Sequence, residues 1–310
     1  MPRKSLLLAI ALLLLVSGCA RLPRTGITSL KPATSGDLRG YLLSNKADLE
    51  EFRLRGPFAV VTKKDFGVTL PTAERIDADL YLASPAEKAP LVIFLHGLDN
   101  SKADHAYQAL HMASWGMHSL ALQLPNNGQW VANGSTVTRV VNAIYRQPEL
   151  IDTRVDASRI ILVGHSFGAS SVAIALAEGA PAAGGILLDP AGIGEEMPKY
   201  LSRVAKPVML LGADEKVSAT NDRSYFYRFI RSGVGEVSIR DAGHSDAQYP
   251  AEIPVKFFSS EPDTEELQIT FVSALTAAAF SLGATGKFDY AWASFSDAIQ
   301  NGRIFNAKKK

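Results

Sequence analysis

The chain has 310 residues, of which 47% are hydrophobic, and its formal net charge is +1 at pH 7. A chain of this length and hydrophobic content can bury a large core, and a charge so close to neutral gives no electrostatic basis for binding nucleic acid. We therefore predict one globular domain with no nucleic-acid partner. The single cysteine excludes an intramolecular disulfide.

The amino terminus has the pattern of a lipoprotein signal. Two basic residues precede the apolar run Leu6 to Val16, which is too short to span a bilayer, and small residues then lead into Cys19. We predict a signal peptide over residues 1–18, lipidation of Cys19 and a polar tether over residues 19–50. The signal resembles those of lipoproteins of two-membrane bacteria, in which a residue other than aspartate after the cysteine implies sorting to the outer membrane of the cell envelope.

Strand-like and helix-like segments alternate along the rest of the chain. The predicted strands are Phe58 to Thr62, Ala78 to Leu82, Leu91 to Leu95, Ser119 to Leu122, Ile160 to Val163, Ile186 to Leu188, Val208 to Leu211 and Val237 to Ile239. The predicted helices are Ala103 to Trp115, Val137 to Tyr145, Ala169 to Ala177, Asn221 to Arg231 and a last one that begins near Thr264. Such alternation predicts an α/β domain over residues 51–288, with a mainly parallel, twisted sheet and helices on both faces. Residues 289–310 are predicted to form a C-terminal tail, and its last three residues, Lys308 to Lys310, are predicted to be solvated.

A serine lies at one of the predicted strand-to-helix junctions. Gly164-His165-Ser166-Phe167-Gly168 follows an apolar strand and leads directly into a helix. A serine in so sharp a turn leaves no room for side chains two residues to either side, which explains both glycines. The turn exposes the hydroxyl at a helix amino terminus, where developing negative charge is stabilised, so we predict that Ser166 is a catalytic nucleophile.

A serine nucleophile needs a base and an orienting acid. In folds with this turn both partners follow the serine in the chain, and His244 is the histidine that satisfies this order. Two aspartates fit the position of the acid. Asp214, after the strand that ends at Leu211, is the first choice, and Asp189, after the strand that ends at Leu188, is the alternative. We expect the other aspartate to brace a loop.

The oxyanion of an acyl-transfer reaction needs amide donors. One comes from the residue after the nucleophile and one from a loop after an earlier strand, so we assign the amides of Phe167 and Leu98. His96 precedes the glycine of that loop and is predicted to hydrogen-bond the loop into shape. Trp130 follows a strand end and is a candidate for the wall of the substrate cleft.

In these residues the chain resembles the α/β-hydrolase superfamily: His96-Gly97, the Ser166 turn, Asp214 and His244 occur in the order of that superfamily. The turn also resembles that of platelet-activating-factor acetylhydrolases, and Leu188-Asp189-Pro190-Ala191-Gly192 resembles a segment of pancreatic-type lipases. Both latter resemblances imply an acid at Asp189 rather than Asp214.

The resemblance implies a serine hydrolase that cleaves carboxylic esters of small molecules or lipids, as a carboxylesterase or lipase, through an acyl-enzyme. Two alternatives stay open: a peptidase or deacylase that acts on envelope material, and a catalytically silent lipoprotein that binds a ligand in the same cleft. The histidine spacings do not match a metal site, and we predict neither a metal nor another cofactor.

Overall fold

The structure is a computed structural model that describes residues 48–84, 88–125, 128–214, 223–231, 233–249 and 264–310. These residues belong to one compact unit. Cys19, the predicted signal peptide and most of the predicted tether lie outside the described residues.

The described residues form one large sheet and one short hairpin. In chain order the strands are β1 (Ala59–Lys63), β2 (Val68–Thr69), β3 (Arg75–Ile76), β4 (Ala78–Ser84), β5 (Ala89–Leu95), β6 (His118–Leu122), β7 (Val155–His165), β8 (Gly184–Leu188), β9 (Val208–Gly212), β10 (Val234–Ile239) and β11 (Ile304–Lys309). Among these residues the large sheet has nine strands in the order β1-β4-β6-β5-β7-β8-β9-β10-β11, and β2 pairs with β3 separately. Strands β6, β5, β7, β8, β9 and β10 run parallel, whereas β1, β4 and β11 pair antiparallel at the two edges.

Helices cover both faces of the sheet. They are α1 (Ala106–Ser114), α2 (Trp130–Arg146), α3 (Phe167–Ala177), α4 (Met197–Leu201), α5 (Arg223–Phe229), α6 (Thr264–Thr285), α7 (Asp289–Ser294) and α8 (Ser296–Gln300). The central strands are apolar throughout because both of their faces are buried. In β5, Leu91, Ile93 and Leu95 pack with α2 and α3, whereas Val92 and Phe94 pack with α1 and α6.

Helix α6 is long and apolar enough to cross a membrane by composition alone. Its apolar stretch, Glu265–Thr285, is 83% buried inside the fold, so it is a core helix of this domain. The helix begins at Thr264, as predicted, and Phe271, Leu275 and Ala278 are fully buried.

Most predicted elements are confirmed. Each predicted strand overlaps one of the strands β1 and β4 to β10, and the predicted mainly parallel sheet is present. The short strands β2 and β3 and the edge strand β11 were not predicted, since two-residue strands and a lysine-rich edge carry little hydrophobic periodicity.

The predicted boundaries at the two ends of the domain need correction. Residues 289–310, predicted to be a C-terminal tail, form α7, α8 and β11, which pairs with β10 at the edge of the sheet, while the last three lysines are exposed, as predicted. Phe295 and Ile304 are fully buried there, so this segment completes the core. Leu49, placed in the tether, is also buried at 3% exposure.

The register of the central strands brings their carboxyl ends to the same level. Gly164 of β7 lies level with Leu95 of β5 on one side and with Leu187 of β8 on the other. The residues that follow these three strands therefore emerge side by side, at the edge where parallel sheets bind ligands.

Candidate active site

Ser166 occupies the sharp turn between β7 and α3. Its backbone has φ 55° and ψ −123°, a region that non-glycine residues rarely adopt. A Cβ on Gly164 would lie 2.4 Å from the carbonyl oxygen of Gly168, and a Cβ on Gly168 would lie 2.5 Å from that of His96. Both glycines of the motif are thus required by close backbone contacts, as the sequence argument predicted.

Backbone hydrogen bonds hold the strained serine in place. The Ser166 amide donates to the Leu188 carbonyl at 3.0 Å, and the Ser166 carbonyl accepts from the amides of Ala169 at 3.1 Å and Ala191 at 3.0 Å. The residue is only 7% exposed. These bonds tie the turn to the loop after β8 and offset part of the cost of the backbone conformation.

The loop after β5 passes directly against the serine. A Cβ on Gly97 would lie 2.8 Å from the Cβ of Ser166, so a larger residue could not occupy this position. Leu98 follows Gly97 and is 45% exposed. Phe167 is the first residue of α3, and the amides of the first helical turn have no acceptor within the helix. The two predicted oxyanion donors therefore belong to segments that meet at Ser166.

His96 braces this loop. Its Nδ1–H donates to the Gly97 carbonyl at 2.9 Å, and its Nε2 accepts from the Leu124 amide at 3.0 Å. Burial lowers the pKa of the ring, which is 1% exposed, and the neutral form suits a ring that both donates and accepts. This geometry agrees with the structural role predicted for His96.

His244 begins a short 3-10 turn that follows β10. Its Nδ1–H donates to Oδ2 of Asp189 at 2.6 Å, and its side chain is 19% exposed. The His244 carbonyl accepts a hydrogen bond from Nε2–H of His165 at 3.0 Å, and the two rings lie 4.4 Å apart. One hydrogen bond to the His244 side chain and one to its carbonyl thus hold the residue in place, with Nδ1 facing a carboxylate.

Asp189 directly follows β8 and is fully buried, with a positive φ of 35°. Its Oδ1 accepts from the Ala213 amide at 3.0 Å and from Nη1 of Arg223 at 2.8 Å, which leaves Oδ2 towards His244. Burial alone raises the pKa of this carboxyl, but the His244 hydrogen bond and the charges of His244 and Arg223 together lower it below its ordinary value. The site therefore contains a buried carboxylate that is ionised and paired with an imidazole.

A scan against protein-family models matches residues 92–299 to the alpha/beta hydrolase family. The matched segment runs from β5 into α8 and contains the serine turn, Asp189 and His244. The chain belongs to the alpha/beta hydrolase family. A search of curated proteins finds no match.

Asp214, the first choice for the acid of the predicted catalytic residues, lies elsewhere. Its Oδ2 accepts from the Asp241 amide at 3.1 Å and lies 3.6 Å from Nη1 of Arg240. The carboxylate that meets His244 is that of Asp189, the alternative. The geometry therefore corrects the ranking of the two aspartates and places Asp214 as the brace of the turn before His244.

The sequence analysis missed two residues that contact this arrangement. Arg223, which contacts Asp189, falls inside the predicted helix Asn221 to Arg231 without a predicted role of its own. His165, which contacts the His244 carbonyl, belongs to the serine turn and likewise has no predicted role. The position of His165 next to the serine was the one sequence feature that could have indicated its contact. Nothing in the sequence distinguishes a buried arginine at the start of a helix from an exposed one.

Trp130, a candidate for the cleft wall, lies at the start of α2. Its ring stacks on Phe167 with centroids 5.2 Å apart and planes 9° apart, and it is 6% exposed. The stacking fixes the Phe167 side chain next to the serine. Within the described residues, histidine and acidic side chains form no cluster that could hold a metal ion.

Proposed function

We propose that the protein is a serine hydrolase that cleaves carboxylic esters through an acyl-enzyme on Ser166. The observation that carries the proposal is a serine in the strained turn after β7 together with a His244–Asp189 pair at 2.6 Å, in which Asp189 follows the neighbouring strand β8 and His244 follows β10. Membership of a hydrolase-fold family supports the same chemistry.

The proposed reaction has two halves. Ser166 Oγ attacks the ester carbonyl carbon while Nε2 of His244 takes the hydroxyl proton, and Asp189 stabilises the resulting imidazolium. The amides of Leu98 and Phe167, with the amino terminus of α3, stabilise the tetrahedral oxyanion. His244 then gives its proton to the leaving alcohol, and a water molecule activated by the same base releases the acid and restores Ser166.

The test is covalent labelling beside a substrate screen. We expect the wild-type protein to react with a fluorophosphonate and to hydrolyse p-nitrophenyl esters of graded acyl length faster than an aminoacyl anilide. Ser166→Ala should abolish labelling and lower kcat by at least about 10⁴-fold while the protein stays folded, because the nucleophile is lost. Ser202→Ala is the matched control, since the Ser202 hydroxyl donates to the Lys199 carbonyl at the end of α4.

The remaining outcomes separate the alternatives. Hydrolysis of the anilide without the esters would favour a peptidase or deacylase. A folded wild-type protein that neither labels nor turns over any substrate would favour a silent binding protein, and unchanged labelling of Ser166→Ala would remove Ser166 as the nucleophile.

We also propose that the hydrolase is attached to the bacterial envelope, at the outer membrane, through a lipid on Cys19. The support is the sequence pattern of a short apolar run that ends at the one cysteine of the chain. Palmitate labelling should be present in the wild type and absent in Cys19→Ser, and equal labelling of the two would contradict the anchor.

A further inference from the structure

A buried arginine touches the carboxylate behind His244. Arg223, the first residue of α5, is 8% exposed and donates from Nη1 to Asp189 at 2.8 Å and from Nη2 to Oγ of Ser238 at 2.9 Å. Its path is open only because β9 ends in glycine: a Cβ on Gly212 would lie 2.0 Å from Cδ and Nε of Arg223. Residues at the ends of three consecutive strands thus surround one guanidinium: those of β8 and β10 accept its hydrogen bonds, and the glycine of β9 leaves room for it.

A second carboxylate balances the charge of the arginine. Glu236 of β10 is 3% exposed, and its Oε1 lies 3.8 Å from Nε of Arg223. Its other oxygen lies 3.1 Å from Nζ of Lys308 on β11. Negative and positive groups therefore alternate from Asp189 through Arg223 and Glu236 to Lys308, so the buried arginine does not leave an uncompensated charge beside the imidazole.

The contact also decides which oxygen of Asp189 faces the histidine. Arg223 and the Ala213 amide both donate to Oδ1, and the guanidinium is itself held by a second hydrogen bond, from Nη2 to Oγ of Ser238. Oδ2 is then left to accept from Nδ1 of His244, which holds the proton on Nδ1 and leaves Nε2 as the basic nitrogen.

We propose that Arg223 is a positioning residue for the reaction: it holds the Asp189 carboxylate oriented so that His244 keeps its proton on Nδ1. The inference rests on the proposed function, in which His244 is the base. A purely structural ion pair would contribute to folding and leave the state of His244 in the folded protein unchanged, and this difference makes the inference testable.

The experiment compares three variants of the full chain. Arg223→Met removes the charge and keeps a long side chain, Arg223→Lys restores the charge without the guanidinium, and Arg228→Met is a control on the same helix, whose guanidinium lies over the Phe229 ring. The readouts are kcat and KM for a p-nitrophenyl ester, per folded molecule, and the downfield proton NMR resonance of the His244 Nδ1–H, which is assigned by its absence in His244→Gln.

We expect Arg223→Met to lower kcat by about 10- to 100-fold with KM within about twofold, because Arg223 acts through Asp189 rather than on substrate. The Nδ1–H resonance should be lost or shifted upfield. Arg223→Lys should recover part of the loss in kcat, and Arg228→Met should match the wild type in every readout.

Several results would overturn the proposal. One is that folded Arg223→Met keeps the wild-type kcat or the wild-type Nδ1–H resonance. Another is that KM rises in Arg223→Met while kcat is unchanged. If Arg223→Met does not fold, Arg223→Lys carries the test, and a wild-type kcat and resonance in that variant overturn the proposal. If the wild type itself proves inactive, the proposed function fails, while the resonance still decides whether Arg223 orders the Asp189–His244 pair.

Discussion

Strands β8 and β9 are neighbours in the sheet, and each leads into an aspartate, but the two carboxylates have different environments. Asp189 is fully buried and bonded to His244, Arg223 and the Ala213 amide. Asp214 is partly exposed and bonds to the turn at Asp241. The same sequence pattern, an apolar strand followed by an aspartate, thus gives a site carboxylate in one case and a loop brace in the other.

The two aspartates also differ in lateral position in the sheet. Strand β8 lies directly beside β7, which carries Ser166, whereas β9 is one strand further away, and neighbouring strands are about 4.8 Å apart. The loop after β10 brings His244 back over these strand ends, where it meets the aspartate of β8. Asp214 instead accepts from the Asp241 amide, in the turn that begins that loop.

The largest expected effect comes from Asp189→Asn. An asparagine oxygen can still accept from Arg223 and Ala213, but its amide would then face His244 and favour the wrong tautomer of the ring. We expect kcat to fall by about 10⁴-fold, measured as turnover per folded molecule, and the midpoint of thermal unfolding to fall as well, because the buried Arg223 loses the charge of its nearer carboxylate. A variant with more than about a tenth of the wild-type kcat would remove Asp189 as the orienting acid.

A third carboxylate, that of Asp246, shows what burial does to the pKa of an aspartate that has no cationic partner like Arg223 in the described part of the chain. Asp246 is 4% exposed, and its Oδ2 accepts from the Gly243 amide at 2.8 Å, while Oδ1 has no hydrogen-bond partner among the described residues. Burial raises the pKa of Asp246 to about 6, in contrast to the lowered pKa of Asp189. A buried carboxylate without a cationic partner is therefore expected to keep its proton to a higher pH, which for Asp246 is about pH 6.

The sign of the resulting pH dependence follows from proton binding. Between about pH 4 and pH 6 the folded protein holds a proton on Asp246 that the unfolded chain has released, so the free energy of unfolding decreases as pH rises through this interval. Asp246→Asn removes this titration, and we expect its stability relative to the wild type to increase by on the order of 2 kcal/mol from about pH 4 to about pH 7. Urea unfolding of both proteins at the two pH values measures the difference, and a constant difference would contradict the assignment.

The smallest effect is expected for Asp214→Asn. The variant keeps an oxygen that can accept from the Asp241 amide and loses only a partly exposed contact with Arg240 at 3.6 Å. We expect a loss of stability below about 1 kcal/mol and at least about a tenth of the wild-type kcat. If this variant were less active than Asp189→Asn, the two aspartates would exchange roles.

Local features of the sequence determined the fold class and the central part of the site. The Ser166 turn was predictable in part because the steric exclusion at Gly164 acts within the motif, against Gly168, whereas the exclusion at Gly168 comes from the carbonyls of Leu95 and His96 at the end of β5. The parallel sheet was predictable because strands buried on both faces are apolar throughout. His244 could be selected by its order in the chain, and the hydrogen bond to Asp189 agrees with that selection.

Only the tertiary structure decided between the acids and brought Arg223 to the site. Both aspartates end apolar strands, and nothing in their local sequence reports the order of the strands across the sheet or which carboxylate lies within hydrogen-bond distance of an imidazole 55 positions away from Asp189. The room for Arg223 depends on Gly212, and the charge that balances it comes from Glu236 on another strand. Strand β11 was missed for a related reason: its lysines are exposed, and its place in the fold is set by backbone pairing with β10, which leaves no hydrophobic period in the sequence.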